Sequence, residues 1–151
     1  MNRLVYLPLV IFLLFFTSCS DEPEYSESGV FRMSLDEGYL LKDKNNNNLL
    51  TLTADYPILK VSSIFSLTAK APEITYLGQF HDLVEIPIET SETFSSQATI
   101  HNLGGYLIKM ELIKSGTNST EKCIIKLLIK EGPFYTDDAP AYLDVEYEIY
   151  R

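Results

Sequence analysis

"AYLDVEYEIYR", residues 141–151, carries the period that decides the fold. Leu143, Val145, Tyr147 and Ile149 fall on one side of an extended chain, and Asp144, Glu146 and Glu148 fall on the other. Successive side chains alternate across a strand, so the stretch predicts a half-buried strand with an apolar inner face and an acidic outer one. "GYLIKMELIK", residues 105–114, repeats the pattern with Tyr106, Ile108, Met110 and Leu112, and "EKCIIKLLIK", residues 121–130, does so with Cys123, Ile125, Leu127 and Ile129. The "SGTNST" between them is a run of turn residues, which predicts a β-hairpin over 105–130. Lys122, Lys126 and Lys130 at spacing four would also fit one stripe of a helix, but the paired isoleucines and the apolar remainder favour strand. If strands 121–130 and 141–150 are neighbours, the three lysines face Asp144, Glu146 and Glu148, each such pair contributing about 0.2–1 kcal/mol.

Upstream, "VFRMSL" (30–35), "NLLTLT" (48–53), "ILKVSSIFSLTA" (58–69), "EITYLGQF" (73–80) and "LVEIPI" (83–88) read as short strands, with no long helical pattern apart from a turn around Ser91 to Gln97. Pro57, Pro72 and Pro87 mark strand starts or edges, because proline cannot donate to a ladder. Short strands with turn chemistry between them predict a mainly β fold, a single antiparallel β-sandwich or small barrel. It should occupy residues 29–151, a length that builds one core.

The N-terminal region differs in kind. Residues 4–16 form an apolar run of 13 behind Arg3. That is too short for a hydrocarbon core, which needs about 20 apolar residues, and has the form of a secretory signal. Thr17, Ser18 and Cys19 follow, and residues 16–19 resemble a bacterial lipobox, although Phe16 is bulkier than the usual Leu. The resemblance implies cleavage after Ser18, leaving a signal peptide of residues 1–18, and acylation of Cys19, so that lipid attaches the chain to a membrane. The competing reading is an ordinary or uncleaved signal with a chance cysteine. Residues 19–28 then form an acidic tether: "SDEPEYSES" has linker composition. Its Ser20-Asp21-Glu22 resembles the export signal of surface lipoproteins in Bacteroidetes, or is simply a solvated spacer.

The chain has 12 Lys+Arg against 21 Asp+Glu, a net charge of −9, and removing residues 1–18 takes away Arg3 and no acid. An acidic protein without a basic stretch lacks the cations that displace counterions from phosphate, which argues against a nucleic-acid partner. With Cys19 modified, Cys123 has no partner within the chain and reads as a small buried hydrophobe.

Candidate chemistry is sparse. In "DKNNNNLLTLTAD", Asp43, Asn45 and Asn47 have the alternate spacing of a calcium loop, but Asn48 stands where glycine should bend the chain and Ala54 where a glutamate should close the shell. A solvated hairpin turn fits better. Adjacent Asp137 and Asp138 read as a solvated loop. His81 and His101 lack zinc-ligand partners at the right spacing, and no serine sits in a nucleophile elbow. No catalytic residue, metal ligand or cofactor is therefore assigned. Ten tyrosines and no tryptophan leave Tyr25, Tyr135, Tyr142 and Tyr150 on loops or outward faces, where amphipathic rings serve recognition. Of these, Tyr135, Tyr142 and Tyr150 are the candidate binding residues.

The order of Leu77-Gly78, Ile86-Pro87, Gly105-Tyr106, Ile124 to Ile129 and Val145-Glu146-Tyr147 resembles a group of small Bacteroidetes lipoproteins that share a domain of unknown function. This likeness implies an outer-membrane lipoprotein, displayed at the cell surface or facing the periplasm, with a β domain and no catalytic residues to transfer. The expected role is a non-enzymatic protein- or glycan-binding module. The alternative is an accessory hydrolase or metal-dependent enzyme, and a third reading is an assembly subunit with an open edge strand.

Overall fold

A computed structural model describes residues 24–35, 37–64, 68–114, 116–132 and 141–151; Cys19, the leader 1–18, Tyr135, Asp137 and Asp138 lie outside them. The three alternating stretches that opened the sequence analysis form consecutive neighbours in one sheet. They are β7 (Gly104–Ile113), β8 (Thr120–Glu131) and β9 (Tyr142–Tyr150). With β1 (Tyr25–Ser34) and β5 (Thr68–Gln79) they make a five-stranded antiparallel sheet in the order β1-β9-β8-β7-β5. A second antiparallel sheet, β2-β3-β4-β6, comprises β2 (Gly38–Lys42), β3 (Asn48–Asp55), β4 (Ile58–Ser63) and β6 (Gln97–Thr99). The two pack face to face as a β-sandwich and do not close into a barrel. No described helix is long and apolar enough to cross a membrane.

The core lies where the two inner faces meet. Met33, Leu143, Val145, Ile125, Leu127, Ile108 and Met110 come from the five-stranded sheet; Leu41, Leu50, Leu52, Ala54, Leu59 and Val61 come from the other. Tyr106 is the largest fully buried side chain, and its hydroxyl is fully used: it accepts from the His101 N–H at 2.8 Å and donates to the Thr99 carbonyl at 2.8 Å. Tyr106 thereby ties the start of β7 to the end of β6. Tyr106→Phe keeps the packing and strands two backbone groups, which costs about 1–3 kcal/mol. Urea unfolding should show a lower midpoint at unchanged slope; a loss under about 0.5 kcal/mol would mean the hydroxyl is dispensable.

The larger sheet is covered on both faces along β8. Residues 80–96 cross its outer side, and Leu83 and Ile86 pack there on Leu128 with Leu77 and Phe80. The crossing is close because Gly105 lies beneath it: a Cβ there would run into Phe80 and Ile86. β8 is consequently buried on both faces from Cys123 to Ile129. At its end this strap stitches the sheets together. Ser95 exchanges backbone hydrogen bonds with Ile74 at the β5 edge, Val61 N–H donates to the Ser96 carbonyl, and β6 then pairs with β4.

Several expectations are corrected. "LVEIPI" is no strand: Leu83–Glu85 is a turn of 3-10 helix, capped by Asp82, whose side chain accepts from the Val84 N–H. "ILKVSSIFSLTA" is divided between β4 and β5, and β2 was not anticipated. The tail of the expected turn at Ser91 to Gln97 enters β6. β1 begins at Tyr25, so Tyr25 to Ser28 of the acidic tether belong to a strand. Strands β8 and β9 are neighbours as the charge pattern required, and Lys126 meets Glu148 at 3.3 Å and Lys130 meets Glu146 at 3.6 Å. Lys122, however, lies opposite Glu111 of β7, and Asp144 pairs with Arg32 of β1. Nor does Lys126 face solvent; it is 5 % exposed under the strap, with its ammonium also 3.4 Å from the Leu83 carbonyl.

Candidate functional site

The half of that outer face along β1 and β9, which no other described segment covers, holds a groove of about 610 Å³. Alternation places Val30 and Arg32 of β1 beside Glu146 and Asp144 of β9, their register partners. Arg32 binds Asp144 through both ends of its guanidinium, Nε to Oδ1 at 2.6 Å and Nη2 to Oδ2 at 2.7 Å. The same guanidinium lies 3.9 Å from the centre of the Tyr142 ring. The hydrogen bonds from Arg32 hold the Asp144 carboxyl below its usual range against the opposing effect of burial. The pair is too exposed to add much stability, with Arg32 at 60 %, but the bidentate geometry fixes a donor, an acceptor and a ring in one orientation. Next to them Val30 stands 76 % exposed, and Lys130 with Glu146 forms the far wall. Charges of both signs around an apolar centre can recognise a polypeptide surface.

Of the sequence candidates, Tyr142 stands beside this groove, its ring against Arg32. Tyr150 does not: it lies on the same face at the opposite end of β9, eight residues or roughly 27 Å along the strand. Its hydroxyl donates to Glu148 Oε2 at 2.8 Å, and its ring meets Tyr25 edge-on at 5.9 Å. Tyr135 is outside the described residues. Sequence reasoning missed Arg32, whose role depends on β1 lying next to β9. Alternation had placed Arg32 and Asp144 on their faces, yet nothing local could say that the two strands touch.

A second cluster surrounds the stretch with calcium-loop spacing. It is the β2–β3 turn, but Asp43 is not solvated: it is 7 % exposed. Its carboxylate accepts from the N–H groups of Asn45 (2.9 Å) and Asn47 (2.8 Å), from Asn47 Nδ2 (3.0 Å) and from Arg151 Nη2 (3.0 Å). Burial pushes the Asp43 carboxyl up; the Asn47 and Arg151 contacts outweigh it, and the net shift is downward. Arg151 thus occupies the place where a cation would neutralise this loop.

The remaining chemistry-bearing residues are dispersed. The His101 ring stacks on Tyr76 at 4.3 Å, while the His81 carbonyl accepts from Lys130 Nζ at 2.9 Å. Cys123 is buried, and burial pushes its thiol up to about 12. Among the described residues, no group of three or more His, Cys, Asp or Glu is arranged to hold a metal ion. Compared with known proteins, the chain matches no protein-family profile, no curated protein and no solved structure.

Proposed function

We propose that the chain is a lipid-anchored, non-enzymatic binding domain of the outer membrane, held by acyl chains on Cys19 and recognising a protein partner through the groove along β1 and β9. The anchor rests on the short apolar leader and the lipobox-like step into Cys19; the motif resemblance to small Bacteroidetes lipoproteins points the same way. The binding role rests on one observation, the preset Arg32–Asp144–Tyr142 arrangement beside exposed Val30. A protein is favoured over a glycan because the Arg32 guanidinium already covers one face of the Tyr142 ring, the surface on which a sugar would stack.

The test is capture from envelope extracts by the full chain and by the double variant Arg32→Ala, Asp144→Ala, which removes both charges together and leaves neither unpaired. A specific protein held by the native chain should bind the variant about tenfold more weakly or worse, equivalent to about 1.4 kcal/mol. Equal capture by both, or binding only to a glycan array, would overturn the reading.

A further inference from the structure

The four sheet edges are not equivalent. β5 carries Pro72, three register shifts and the backbone bridge from Ser95, and β6 and β2 have only three and five residues. Short strands, prolines, bulges and coverage are the usual ways of making an edge unfit for further pairing. β1 has ten residues without proline, a single register shift between Tyr25 and Glu27, and, among the described residues, no strand paired on its other side.

The side that β1 leaves open can be specified. The Leu35 N–H donates to Ala141, on the β9 side. Antiparallel ladders alternate, so the N–H and C=O groups of Met33, Phe31 and Gly29 also turn towards β9. Those of Ser28, Val30, Arg32 and Ser34 turn away from it. Within this outward set Ser28, Val30 and Arg32 are symmetric about Val30, the most exposed apolar residue of the strand. A copy of the same strand rotated by a two-fold axis through Val30 would match the donors and acceptors of these three residues, with Ser34 falling opposite Ser26 at the register shift. Val30 would pack on its own image and Ser28 would lie opposite Arg32, a neutral hydroxyl beside a cation already satisfied by Asp144. No like charges would be brought face to face on either strand.

We infer that β1 is a self-association edge, where a second copy of this chain pairs antiparallel about Val30 and joins the two five-stranded sheets into one of ten strands. The pairing takes Val30 from the exposed centre of the groove into the two-fold contact, so the two grooves would adjoin across the axis and a groove partner would meet them joined.

Thiol placement in the full chain tests both the partner and the register. Residues directly paired across such an axis have Cα atoms about 5.5 Å apart, within disulfide range. Cys123 is buried and offers no surface thiol, and Cys19, common to all the chains compared, sets the same baseline for each. Under mild oxidation, Val30→Cys should shift to the mass of two chains, whereas Val84→Cys, 79 % exposed on the strap, should not. Chains carrying Ser28→Cys and Arg32→Cys should cross-link to each other when mixed, and neither should do so alone. Equal behaviour of positions 30 and 84, an adduct of any other mass at position 30, or self-linking of Ser28→Cys would each overturn the inference. A further variant needs no thiol. Val30→Pro deletes an N–H on the free side only, so the fold and its ladder to β9 should persist, and the chain should sediment as one copy where the native chain sediments as two. Two copies from the proline variant would also refute it.

Discussion

Cells producing the Cys19→Ala variant should incorporate no labelled fatty acid into this chain, and its folded domain should leave the acyl-anchored membrane fraction. The expected effect is close to all-or-none. Each buried CH₂ contributes about 0.8 kcal/mol to anchoring, so two or three acyl chains bind strongly and none leaves almost nothing. No electrostatic attachment would take over, because the chain carries a net charge of −9 and has no polybasic segment to meet an anionic leaflet. If processing depends on the same cysteine, the variant should instead keep residues 1–18, run at precursor mass and be held only by the apolar run 4–16, still without label. Label persisting in the variant, or absent from the native chain, would remove the basis of the anchor.

The second large effect is expected at Asp43. Asp43→Ala removes four hydrogen-bond acceptances at once and leaves Arg151 without its nearest carboxylate, Glu121 being 4.0 Å away. Removing one member of a buried ion pair costs about 3–5 kcal/mol; Arg151 is one-quarter exposed, which places the expected loss nearer the lower bound. Asp43→Asn retains the shape of the turn and should cost less. The pH dependence follows from the downward shift. Because the folded carboxyl has the lower pKa, its contribution is fully present above the ordinary value of 3.8 and drains away as pH falls through the folded value. Denaturation midpoints at pH 7 and pH 3 should therefore lie further apart for the native chain than for Asp43→Asn. Equal separations would show that the carboxylate is not what the turn depends on.

Much of the fold was legible because alternation is a local property. Leu143, Val145 and Ile149 went to the core as their spacing required, and the hairpin over 105–130 formed with its turn in place. Reading failed where burial depends on a remote segment. Lys126 alternates like a solvent-facing residue, and only the strap over β8 makes it a buried one. "LVEIPI" has strand-like side chains, yet Asp82 caps a helical turn and Leu83 and Ile86 point to the same apolar cluster. The candidate site divided in the same way. Tyr142 was visible as an outward aromatic, but its partner Arg32 is 112 residues from Asp144 and needed the β1–β9 pairing to be found. Asp43 could have been recognised: an Asp followed by Asn at the second and fourth positions has the donors of a self-bonded turn.

That long separation also bears on biogenesis. β1 finds its ladder only in β9, so a nascent chain must carry β1 unmatched until β9 has been made. Loops of such length close slowly. Fragments cut short before β9 would be left with the inner side of β1 exposed and nothing to pair with it.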